Sequence, residues 1–182
     1  FYGNRRMKLS IKNRIAMYSV IGIAGLSLLI FIAIYFTVVK TVYGEVDKDL
    51  FFEAEKHKQE LSFTQDSLYF TYKDEWLERE HLEVEVYPLF VELFDKAGKS
   101  LDKSPNLQGR NLKLNRQQKE FQIVNTILGA KKIRQIQFKL QQKDKIKGYL
   151  IIAAPLDHAE MVLDTLKNTL LIIYPILLII TF

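Results

Sequence analysis

The sequence predicts an α+β domain with an antiparallel sheet and long flanking helices, carried between two transmembrane helices. Three observations lead there. Ile15–Val39 is a run of 25 residues without a charge, held between Arg14 and Lys40. Thr169–Phe182 is a second uncharged run, of 14 residues. Between them, one helical stripe is followed by aromatic and β-branched segments that Asp, Gly and Pro interrupt.

The first run is long enough to cross a bilayer core, which takes roughly 20 apolar residues in a helix. Its flanks set a direction. Arg5, Arg6, Lys8, Lys12 and Arg14 precede it with no acid among them, whereas Glu45, Asp47 and Asp49 follow it against Lys48. Basic flanks stay on the cytoplasmic side. The expectation is a cytoplasmic basic N-terminus over 1–14, a span over 15–39 and an exported domain over 40–168. A cleaved signal peptide is the competing reading. It fits less well, because the apolar run is too long and Val42-Tyr43-Gly44 is a poor cleavage site. Met7 is a candidate start residue. Thr169–Phe182 is read as a second span, truncated and heading back to the cytoplasm; a buried terminal helix is the plainer alternative.

Composition excludes several classes. The net charge of +5 is a topology signal, since 41–168 holds 20 bases against 21 acids and the remaining six bases flank the first run. Nucleic acid is therefore not an expected partner. The chain has no cysteine, so disulfides and thiolate metal sites are excluded.

In chain order, Val39, Val42, Val46, Leu50, Ala54, His57 and Leu61 step by three or four and predict a helix over 40–62 with one inward stripe. Asp47, Glu53, Lys58 and Glu60 occupy its other faces. Residues 63–86 predict an irregular piece and a second helix near 74–82. Tyr87–Phe94 predicts a strand, Asp95-Lys96-Ala97-Gly98 a turn with Asp first and Gly last, and Lys99–Asp102 a return strand. Lys103–Arg110 is a loop, and Arg116–Thr126 predicts a short helix carrying Phe121 and Val124. Ile133–Leu140 and Gly148–Ala154 form a hairpin with a polar tip at Gln141–Lys147. Pro155 is placed at the first turn of the last helix, where its fixed φ fits. Leu156, Ala159, Leu163 and Leu166 then step as a paired-helix seam, running on through Leu170, Ile173, Leu177 and Ile180. That seam is either packed on the domain's own sheet or a dimer contact.

Four segments, in this order, resemble the N-terminal part of bacterial two-component sensor histidine kinases. They are Met7–Met17 as a basic lead into the span, and Val46-Asp-Lys-Asp-Leu50 with Glu53 and Ala54 after it. Then come Phe90–Leu101 with Ser104 as strand, Asp-x-x-Gly turn and strand, and Tyr149–His158 through Pro175 as last strand, signalling helix and Pro-bearing span. The resemblance implies a PAS-like (PDC/Cache-type) periplasmic sensor domain in the bacterial inner membrane, and a homodimer. It further implies an unidentified extracytoplasmic ligand and a kinase beyond Phe182 that uses ATP and Mg, autophosphorylates on His and hands phosphate to a response regulator. A chemoreceptor or cyclase input region, or a two-span envelope structural protein, is the alternative.

No catalytic or cofactor-binding residue is assigned in this chain. His57, His81 and His158 all lack the acidic residue and following Pro of a phospho-acceptor box. His158 and Met161 lie three apart on a helix and suggest a soft-metal pair; His57 near Glu53 and Glu60 suggests zinc. Both fall short of the three or four convergent ligands a tight site needs, and no metal site is assigned. Lys96–Lys147 carries 14 bases against Asp102, Glu120 and Asp144, an excess suited to an anionic ligand or to a solvated surface. No phosphate-cradling glycine loop, nucleophile triad or zinc-protease helix is present.

Overall fold

The computed structural model describes residues 11–59, 61–63, 68–70, 88–142 and 145–181. They divide into two compact units. One takes the chain up to Thr41 together with Met161 onward, and the other is Val42–Glu160.

Two helices, α1 (Ile11–Gln59) and α2 (Asp157–Thr181), contribute to both units. Each is long and apolar enough to cross a membrane. Within the first unit, the less exposed positions of α1 are Val20, Ala24, Ser27, Phe31, Tyr35, Val38 and Val39, and those of α2 include Leu163, Leu166, Leu170, Tyr174 and Leu177. Tyr174 joins the two stripes. Its hydroxyl donates to the Ala24 carbonyl at 3.3 Å, and its ring meets Phe31 edge-on at 5.9 Å. Ser27, Thr37 and Thr181 turn their hydroxyls onto carbonyls three or four residues back, so these polar groups are satisfied inside their own helices. The outer sides expose Leu26, Leu29, Phe36, Leu171, Ile179 and Ile180.

The second unit is built on a five-strand antiparallel sheet. Its strands are β3 (Phe90–Asp95), β4 (Ser100–Lys103), β5 (Ile123–Leu128), β6 (Lys131–Gln142) and β7 (Lys145–Pro155), in the spatial order β4-β3-β7-β6-β5. A separate two-strand hairpin joins β1 (Leu61–Phe63) to β2 (Leu68–Phe70). One sheet face carries Val91, Leu93, Ile136, Phe138, Leu140, Leu150 and Ile152, and packs on Leu50 and Ala54 of α1 and on Leu61. The other carries Phe90, Phe94, Ile133, Tyr149, Ile151 and Ala153, covered by Leu107 and Leu112 with Leu114 alongside. The central strand β7 is covered on both faces, which is why Tyr149–Ala153 reads as a continuous apolar run.

Several expectations change. The inward stripe of the first helix holds, with Leu50, Ala54 and His57 buried, but the helix ends at Gln59 and Leu61 joins the core from β1. The helix expected near 74–82 lies outside the described residues. Arg116–Thr126 is not a helix: its first part is turns, and β5 begins at Ile123 because Ile123 and Val124 pair with Ile136 and Gln135. The hairpin strands run on to Gln142 and from Lys145, so the tip is shorter than expected. Pro155 is the last residue of β7, opposite Ile133, and not the start of the last helix. A strand end tolerates a residue without an N–H, and Leu156 follows by donating its N–H to the Lys132 carbonyl at 2.9 Å and accepting the Glu160 N–H at 2.8 Å. The seam of α2 passes through Tyr174 and not through Ile173 or Ile180, which are exposed. An α-helix of 3.6 residues per turn drifts off a strict seven-residue repeat over this length.

Candidate functional site

The second sheet face is polar where it should be greasiest. Glu92 of β3 and Gln135 and Gln137 of β6 point to the same side as Phe90 and Ile151, and all three are buried. Their side chains tie down one extended segment. Glu92 Oε2 accepts the Leu112 N–H at 2.6 Å. Gln135 Nε2 donates to the Lys113 carbonyl at 2.8 Å. Gln137 makes a closed pair with Asn115, accepting its N–H at 3.0 Å and donating to its carbonyl at 2.9 Å. Residues 112–115 are therefore a strap whose backbone is paired to side chains of the sheet where a further strand would use backbone.

The strap is fastened at both ends. Before it, the Val91 N–H donates to Ser104 Oγ at 3.0 Å, and the Ser104 hydroxyl donates to Asn106 Oδ1 at 2.7 Å. Asn106 Nδ2 in turn donates to the Leu89 carbonyl at 2.9 Å. The chain turns through Pro105–Leu107 and reverses at Gln108 and Gly109, both at positive φ. Lys103 Nζ then donates to Asn111 Oδ1 at 2.8 Å and to the Arg110 carbonyl at 3.2 Å. Two glycines make room for two arginines. A Cβ at Gly129 would stand 3.1 Å from Arg110 Nη1, and one at Gly98 only 2.5 Å from Arg116 Nη2. The strap thus runs between the β5–β6 turn and the β3–β4 turn.

Under it, Glu92 Oε1 and Gln135 Oε1 are buried without a hydrogen-bond partner among the described residues. Both are acceptors, so the site is suited to receive N–H or O–H donors. Among the described residues it offers no nucleophile–base pair.

The opposite face holds a charged junction. Arg134 of β6 donates through Nε and Nη2 to the two carboxylate oxygens of Asp47 on α1, the second bond at 2.8 Å. Its Nη1 donates to Asn125 Oδ1 on β5 at 2.7 Å, and its guanidinium lies 5.2 Å from the centre of the Tyr43 ring. The hydrogen-bonded Asp47 carboxylate holds the guanidinium above its ordinary pKa, outweighing the opposite pull of partial burial. Nearby, Phe121 sits at φ 62° with its ring edge-on to Phe138 at 5.2 Å, and Lys58 lies 5.8 Å and 5.7 Å from these two ring centres. At the end of the sheet, Lys131 pairs with Asp157 at 3.1 Å and Lys132 with Glu160 at 2.6 Å.

The metal candidates weighed from sequence and described in the structure lie on α1 and α2, with Glu53 and His57 four apart on the first and His158 and Met161 three apart on the second. His57 is buried on α1, His158 and Met161 are exposed on α2, and His81 and Glu60 lie outside the described residues. Among the described residues, no group of three or more His, Asp or Glu side chains is arranged to hold a metal ion. Glu92, Gln135 and Gln137 were not singled out by sequence. Their signal was faint: polar residues at the alternate positions that Phe90, Phe94 and Ile133 fill with apolar ones.

No family model matches the chain, and neither the curated proteins nor the solved structures contain a match to it.

Proposed function

We propose that the chain is the sensing and membrane-anchoring part of a sensor histidine kinase. In this reading the domain is PAS-like, of the PDC or Cache type, and stands in the periplasm. α1 and α2 cross the inner membrane, two copies associate, and a kinase beyond Phe182 takes ATP and Mg and serves a response regulator. An envelope or extracellular stimulus biases the domain between two arrangements, and the helices relay the bias, because packed interfaces switch between discrete states.

One observation carries the reading: the sheet packs on one helix apolar enough to cross a membrane and runs directly into the other. α1 continues without a break from its apolar part to the Leu50 and Ala54 face that packs on the sheet. The central strand β7 leaves through a single residue, Leu156, into α2. A stimulus acting on the sheet therefore has covalent connections to both candidate spans. The sequence resemblance and the antiparallel sheet with long flanking helices add support.

Two experiments test this. Protease added to intact spheroplasts should cleave within 41–168, and protease confined to the cytoplasmic side should not. The coding sequence after Phe182 should contain a phospho-acceptor His box and an ATP-binding domain. A methyl-accepting or cyclase domain there would move the chain to another receptor class. The absence of any signalling domain would make it an envelope structural protein.

A further inference from the structure

Nine of the 14 basic residues of Lys96–Lys147 fall into two groups. Arg134, Lys131 and Lys132 each hold a carboxylate, and Lys103 is spent on the strap. Lys96, Lys99, Arg116, Lys139 and Lys145 meet no carboxylate through their side chains among the described residues. The sheet register gathers these five at one end. Lys139 stands on the strap side, opposite Tyr149, which stands opposite Phe94, the last residue but one of β3. Two strand spacings separate Lys139 from β3, about 10 Å. Beyond β3 comes the turn bearing Lys96 and Lys99, and Arg116 lies against Gly98 between them. Lys145 opens β7 at the adjoining hairpin tip, opposite Gln142 and so on the other face of the sheet from Lys139. Asp95 is committed to the turn, its Oδ1 accepting the Lys99 N–H at 2.8 Å. Asp144, in the hairpin tip, lies outside the described residues.

We propose that this end of the sheet binds a polyvalent, phosphate-bearing anion. Lys96, Lys99, Arg116 and Lys139, beside the single Asp95 carboxylate, repel one another until an anion shares them, and an arginine fork with surrounding ammonium groups matches clustered phosphate oxygens. Bases of a nucleic acid would want exposed rings to stack on, and the aromatic residues in this row, Phe94 and Tyr149, are buried. The surface belongs to the second unit alone and does not depend on the sensor reading.

Tripolyphosphate titrated calorimetrically into the full chain in neutral detergent should bind saturably, more weakly as sodium chloride is added. Arg116→Gln combined with Lys139→Gln should weaken binding about tenfold. Lys131→Gln combined with Lys132→Gln removes the same charge from paired positions and should change it less than about twofold. A short-chain, soluble lipid phosphate titrated in parallel distinguishes a headgroup from a free polyphosphate, and preferential binding of either supports the proposal. The proposal is overturned if neither compound binds the unmodified chain, or if the two double variants weaken binding equally.

Discussion

Arg134 grips Asp47 with one edge of its guanidinium, through Nε and Nη2, across 87 positions of sequence. The pair links the sheet to α1 seven residues after Lys40, and Asn125 and Tyr43 complete the arginine's surroundings. With side chains 18% and 33% exposed, the two groups are partly withdrawn from solvent. A double-mutant cycle with Asp47→Asn and Arg134→Gln should give a coupling of about 1–2 kcal/mol after allowance for screening at Asp47. Arg134→Lys should recover less than half of it, because a single ammonium cannot span both oxygens. Thermal unfolding in detergent measures each corner. The raised pKa of Arg134 makes its contribution complete below the ordinary guanidinium range and lost only as pH climbs through the higher value, so this term should be flat across neutral pH.

Glu92 is the central tie of the strap. Glu92→Ala strands the Leu112 N–H in an apolar setting and should cost about 2–4 kcal/mol. Glu92→Gln keeps an acceptor there and should cost less. Hydrogen exchange followed by mass spectrometry should show faster exchange over residues 112–115 in the alanine variant, with β6 and β7 still protected. Equal protection of the strap in both proteins would refute its dependence on Glu92.

Gly98 and Gly109 separate two contributions. Both lie near φ +84°, at 85° and 83°, but Gly98 faces Arg116 whereas Gly109 has open space. Alanine at Gly109 should cost about 1 kcal/mol from backbone strain alone. Alanine at Gly98 should cost more, by whatever is needed to displace the Arg116 guanidinium. Combining it with Arg116→Ala should remove the excess.

Leu50 tests the junction of α1 with the sheet. It is buried against a face that includes Val91 and Phe138. Leu50→Ala should lower stability by about 2–5 kcal/mol. Phe52, on the same helix but 69% exposed, should tolerate alanine within about 0.5 kcal/mol. Unfolding midpoints of the two variants supply the comparison.

Periodicity made the two apolar helices, the Leu50–Ala54–His57 stripe and the central strands legible, because burial on one face writes itself directly into residue order. The Asp95–Gly98 turn was legible for the same kind of reason: Gly98 needs positive φ and Asp95 caps Lys99. Arg116–Thr126 has apolar spacing that suits a helix, but Ile123–Thr126 pairs with β6, which lies after it in sequence. The strap was invisible for a related reason. Apart from the local bonds that Asn115 accepts from the Gln117 and Gln118 N–H groups, the ties of Leu112–Asn115 come from Glu92, 20 positions earlier, and from Gln135 and Gln137, 20 or more positions later. The His57, His158 and Met161 readings rest on residue type and local spacing, which say nothing of what the fold brings near them from elsewhere in the chain.

The place of β7 has a consequence for how the protein is made. It is the final strand to leave the ribosome, yet it lies between β3 and β6 and supplies pairing to both. Until residue 155 has been synthesised, β3–β4 and β5–β6 exist only as two unjoined hairpins, and each exposes an edge that will later be interior. Completion of the domain must therefore wait for late synthesis, and a nascent chain stalled before β7 should be a ready substrate for proteases and chaperones.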